Sequence, residues 1–147
     1  MTETILFFFV QAARIGFIFS LLTHLATFRN MNLQEEFPVV WWLHFGVFFV
    51  WIPTVLLGFQ IARLSGWKRI VTILKNNTPM WLGVLLMLFL LYASYHFYIM
   101  TNTVNPANIQ ATQNSMVRGY SAHWPAFYLL SLTFLRAVKK DLIDEKD

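Results

Sequence analysis

Apolar residues run through the chain in four long blocks, and most charged residues lie in the gaps between them or in the C-terminal tail. The blocks cover about 5–28, 38–62, 79–100 and 120–138. Each approaches the roughly 20 residues that a helix needs to cross a bilayer core. They are apolar nearly all round, so helical periodicity cannot separate a lipid-facing side from a buried one, and length carries the assignment. The pattern predicts an all-α polytopic membrane protein. Its single domain over 1–147 is a four-transmembrane-helix, up-down bundle with a charged tail at 139–147.

The punctuation between blocks supports this division. Pro38, Pro79 and Pro125 stand at or near block starts, where a missing N–H costs little. Thr78 and Ser121 are expected as helix caps. Pro53 falls inside the second block, where it is expected to kink the helix and free the carbonyl of Phe49. The segment 67–75 alternates Lys68, Arg69 and Lys75 with Ile70, Ile73 and Leu74 at roughly helical spacing. Such a segment is expected to lie along the membrane surface against anionic headgroups. The first block is not read as a cleavable signal, because its apolar run is long, lacks a basic leader and contains Arg14.

Composition narrows the class. The chain is 57% hydrophobic and 12% charged, against about a quarter charged in a soluble domain. Its mean hydropathy is +0.53. A disordered chain and an ordinary water-soluble enzyme are excluded. The absence of cysteine removes disulfide frameworks, thiolate metal sites and thiol nucleophiles. The net charge of +4 reports topology. Arg63, Lys68, Arg69, Lys75, Arg136, Lys139, Lys140 and Lys146 fall on one side of the four blocks, and Arg29 and Arg118 on the other. The basic side is expected to be cytoplasmic, which places both termini inside. A bacterial inner membrane fits this bias, as does an organellar one. Trp41, Trp42 and Trp124 are then expected at the outer interface, and Trp67 and Trp81 at the inner one. No basic stretch has the context that nucleic-acid binding needs.

Four histidines carry the candidate chemistry. His24, His44, His96 and His123 each lie on a different block, and the up-down topology puts all four within roughly 10 Å of the outer boundary at 1.5 Å per residue. Imidazoles on facing helices can ligate haem b, copper or zinc. The plainer alternative is four interfacial histidines bonded to loops. No carboxylate lies inside any block; Glu35 and Glu36 stand just outside, on the histidine side. The polar segment 101–119, with its Asn105-Pro106 turn signal, is expected to be a long loop able to cover the histidine layer.

The first block has two further features. Ala12, Gly16, Ser20 and His24 recur every four residues and form a ridge of small side chains that permits close helix packing. Gln11 and Arg14 lie on the opposite side, with Arg14 near mid-membrane, where a charge costs about 2.5–3.5 kcal/mol. Its candidate compensators are Gln11, Gln60, carbonyls freed near Pro53, a lipid phosphate, a cofactor carboxylate, or a group from a second copy or another membrane subunit. These features support two functions. One is a non-catalytic accessory, assembly or protective subunit acting through helix–helix contacts in the bilayer. The alternative is a membrane cytochrome or metal-binding protein using the histidine layer, with quinol as an electron partner.

Overall fold

The computed structural model describes the backbone of residues 3–26, 33–102, 107 and 109–144, and their side chains except at 33–41, 43, 44, 100, 109–120 and 144. The described residues form five helices and no strand: α1 (Glu3–Ala26), α2 (Leu33–Ser65), α3 (Trp67–Asn77), α4 (Met80–Asn102) and α5 (Ile109–Asp144). Three are long and apolar enough to cross a membrane, within Glu3–Ala26, Phe45–Ser65 and Met80–Ile99. Most of their surface faces outward, with Phe19, Phe45, Leu56 and Leu91 all more than half exposed. In a membrane that apolar surface meets lipid.

α5 is not among those three, although it includes the fourth apolar block. It packs against all four other helices. Ser121, Ala122, Trp124, Ala126, Tyr128, Leu129, Ser131, Leu132, Thr133, Leu135, Ala137 and Val138 are buried on it. A helix encased in protein meets side chains instead of lipid, so it tolerates Ser, Thr and Ala, and its hydropathy falls. Small residues are favoured there because they let backbones approach.

Leu6 of α1 lies near Val138 and Leu142 of α5, whereas His24 at the other end of α1 meets Ser121. α1 and α5 are therefore antiparallel. α2 runs alongside α5: Trp51 packs on Phe127, and Leu57 and Ile61 reach the level of Val138. α4 follows α3, which lies at the level of Val138, and reaches His123 only with Phe97 near its end, so it runs against α5.

The inward stripe of α1 is Leu6, Val10, Ala13, Phe17, Ser20 and His24, spaced four, three, four, three, four. That of α4 is Leu82, Leu86, Phe89, Ala93 and His96, spaced four, three, four, three. This is the narrow seam of helices crossing at a shallow angle. Phe17 and Phe89 meet across it at 5.7 Å between ring centroids.

Two breaks define α3. Gly66 adopts φ 80°, which an L-residue rarely takes, and its N–H closes α2 on the Ala62 carbonyl at 2.9 Å. Thr78 is extended, as the residue before proline prefers. It does not cap α4 as expected. Pro79 holds the cap position, its carbonyl accepting from Leu82 and Gly83, and Thr78 Oγ1 is buried without a hydrogen bond. The helical character expected for 67–75 is present, and Arg69 ties α3 to Asp141 of α5 through a 2.8 Å ion pair.

Several expected boundaries are corrected. α4 continues to Asn102 and α5 starts at Ile109, so 101–119 is mostly helix and not a long loop. Ser121 and Pro125 lie inside α5, not at its start. α2 begins at Leu33 and passes through Pro38 and Pro53 without a break. Trp124 is 3% exposed and belongs to the core, not to a lipid interface, whereas Trp42, Trp67 and Trp81 are exposed.

Candidate functional site

Among the described residues a buried polar cluster lies at the end of the protein remote from α3. His24, the last residue of the α1 stripe, is 2% exposed. Its Nδ1 lies 2.8 Å from Ser121 Oγ on α5, and its Nε2 lies 2.6 Å from Tyr92 Oη on α4. One imidazole thus joins three helices. In the neutral ring one nitrogen donates and the other accepts. A hydroxyl can do either, so both tautomers satisfy the arrangement. The local sequence of α5 favours Ser121 for this role. Pro125, four residues on, has no N–H to give the Ser121 carbonyl, so the helix ladder is interrupted where the serine turns to His24.

His96 belongs to the same cluster. Its ring lies 4.4 Å from that of Tyr92, 5.7 Å from that of His24 and 5.7 Å from that of Tyr95. Tyr92 and His96 are four residues apart, one turn along a single edge of α4, which brings both onto the α1 side.

His123 faces elsewhere. It meets Phe97 edge-to-face at 5.4 Å and lines an apolar cleft of about 240 Å³ between α2 and α4, with Phe48, Trp51, Trp124 and Phe127. The side chain of His44 lies outside the described residues. Of the four histidines, the structure therefore brings His24 and His96 together and turns His123 to a separate cleft. Among the described residues, no group of three or more His, Cys, Asp or Glu could hold a metal ion. Both nitrogens of His24 are engaged by hydroxyls, so in this arrangement it offers no lone pair to haem iron, copper or zinc.

The small-residue ridge lies partly inside. Ser20 is fully buried, its hydroxyl donating to the Phe17 carbonyl at 2.9 Å. Ala12 and Gly16 are half-buried on the flank of the α1 stripe that faces α2. Gly16 is packed under the ring of Tyr128 from α5, and Gly46 of α2 meets the Tyr128 hydroxyl. Sequence reasoning missed Tyr128 and Gly46. It expected Ser121 as a helix cap and gave Tyr92 no role. The available signals were the four-residue steps from Ser121 to Pro125 and from Tyr92 to His96.

Arg14 is exposed at the middle of α1. Its Nη1 donates to Gln11 Oε1 at 3.4 Å, a long hydrogen bond. Gln60 instead lines a cavity of about 280 Å³ near α3. Beside Gln11 a cleft of about 350 Å³ opens between α1 and α2, floored by Gly16, Gly46 and Tyr128. No family model, curated protein or solved structure matches the chain.

Proposed function

We propose that this chain is a non-catalytic integral membrane subunit that packs against a helix of another membrane protein through the Gln11–Arg14 face of α1. In this reading α5 crosses the bilayer with α1, α2 and α4, making a four-span up-down bundle. Both termini lie on the basic, cytoplasmic side of a bacterial inner membrane. The observation that carries the reading is the exposure of Arg14 halfway along an apolar spanning helix. A guanidinium at that depth costs about 2.5–3.5 kcal/mol on insertion scales, and one long bond to a neutral amide offsets little of it. The sequence has no Asp or Glu between Glu36 and Asp141, so a second copy brings no acid to that depth. A different chain with an intramembrane carboxylate or amide supplies what is missing, and the adjoining cleft gives its helix a seat.

The test is the size of the complex extracted from native membranes in mild detergent. Wild type is expected to migrate above the mass of one 17.3 kDa chain in its micelle, and Arg14→Leu at the mass of one chain. A monomeric wild type, or an unchanged complex in the variant, overturns the reading.

A second reading draws on the closeness of His24 and His96: a haem- or metal-binding membrane protein. It requires His24 to release Tyr92 or Ser121. An absorption spectrum and metal analysis of the purified protein decide it. A colourless, metal-free preparation removes it.

A further inference from the structure

α3 links Ser65, the end of one spanning helix, to Met80, the start of the next. It is therefore held at the level of one membrane face. Its surface divides three ways. Ile73 is buried, with Ile70 and Leu74 half-buried beside it. Trp67 and Val71 are 62% and 64% exposed, next to Leu64 at 75%. Lys68 and Lys75, two turns apart on one face, are exposed along the edge of that apolar strip. At 100° per residue the order around the helix is protein-facing, apolar and exposed, then cationic.

The charge is one-sided. Among the described residues the ion pair present is Arg69–Asp141, which leaves Lys68 and Lys75 with no carboxylate partner. An exposed apolar strip bordered by lysines suits the boundary between acyl chains and headgroups, and it suits anionic headgroups in particular.

We infer that α3 is a binding surface for anionic phospholipid. Trp67 and Val71 enter the acyl boundary, and Lys68 and Lys75 take the headgroup phosphates. The experiment uses the full chain in phosphatidylcholine vesicles carrying traces of spin-labelled phosphatidylglycerol or phosphatidylcholine. It measures how strongly the protein retains each label. Wild type is expected to prefer phosphatidylglycerol roughly fivefold, the attraction of about one lysine to an anionic surface. The preference should shrink as salt rises. K68Q/K75Q should bring it close to one, and K68R/K75R should keep it. Equal retention by wild type, a preference insensitive to salt, or one undiminished in K68Q/K75Q overturns the inference. The last result would move the selectivity to other cations, such as Lys139 and Lys140.

Discussion

The ring of Tyr128 fills the space that a side chain at Gly16 would need. A Cβ built on Gly16 falls among the Tyr128 ring carbons, whereas one built on Gly46 meets the hydroxyl and clears Cζ by 3.6 Å. The two glycines face different parts of one buried side chain. Gly16→Ala and Gly46→Ala should each destabilise the protein by about 1–3 kcal/mol, as overpacking does. Tyr128→Phe removes only the hydroxyl. It should therefore suppress the Gly46→Ala defect and leave the Gly16→Ala defect intact. Unfolding in detergent, analysed as two double-mutant cycles, checks this, and equal suppression of both defects would refute it.

The contacts of His24 lead to a graded expectation. Hydrogen bonds between membrane helices average about 0.6 kcal/mol and reach about 1.7. Ser121→Ala and Tyr92→Phe should each cost within that range. His24→Ala loses both bonds and leaves a void among α1, α4 and α5, so it should cost roughly 2–4 kcal/mol. The same unfolding measurement applies. A His24→Ala defect no larger than that of Ser121→Ala would show that the imidazole does not join the helices.

What could be read from the sequence follows from what each element packs against. α1, the apolar part of α2, and α4 present most of their surface outward, so run length alone located them. α3 was legible because its two faces differ. The extent of α5 was not, for two reasons. Its first turns, through Asn, Gln and Thr, carry no apolar period and read as loop. Ser121 and Pro125 then look like a helix start, although both lie buried within a continuing helix. The small-residue ridge marks Ser20 and His24, both of which are buried. The partners of His24 were not legible, because one tyrosine among five and one serine among several carry no local mark of a contact across 68 or 97 positions. The true seam of α1 also alternates steps of four and three, so Ala12 and Gly16 stand beside it while Ala13 lies in it.

The Arg69–Asp141 pair should matter little to stability. Its side chains are 33% and 16% exposed, so solvent and salt screen the attraction. Asp141→Asn is expected to cost about 0.2–1 kcal/mol in low salt and less in high salt. The swap Arg69→Asp with Asp141→Arg should recover part of it. A loss several times larger would mean that the pair holds α3 in place by itself.

Arg14 should separate folding from association. It is exposed, and its bond to Gln11 is long, so Arg14→Leu removes little from the isolated chain and relieves a charge from the apolar span. Unfolding of the purified variant should match wild type within about 0.5 kcal/mol, as for surface substitutions away from special features, or exceed it. The native complex should nevertheless be lost, because leucine offers no charge to a partner's polar group. Arg14→Lys keeps a charge but loses the planar fork that pairs with a carboxylate, so it should retain only part of the complex. Destabilisation of the isolated chain by Arg14→Leu would instead make this residue part of the protein's own packing, and the outer face of α1 would lose its claim as a docking surface.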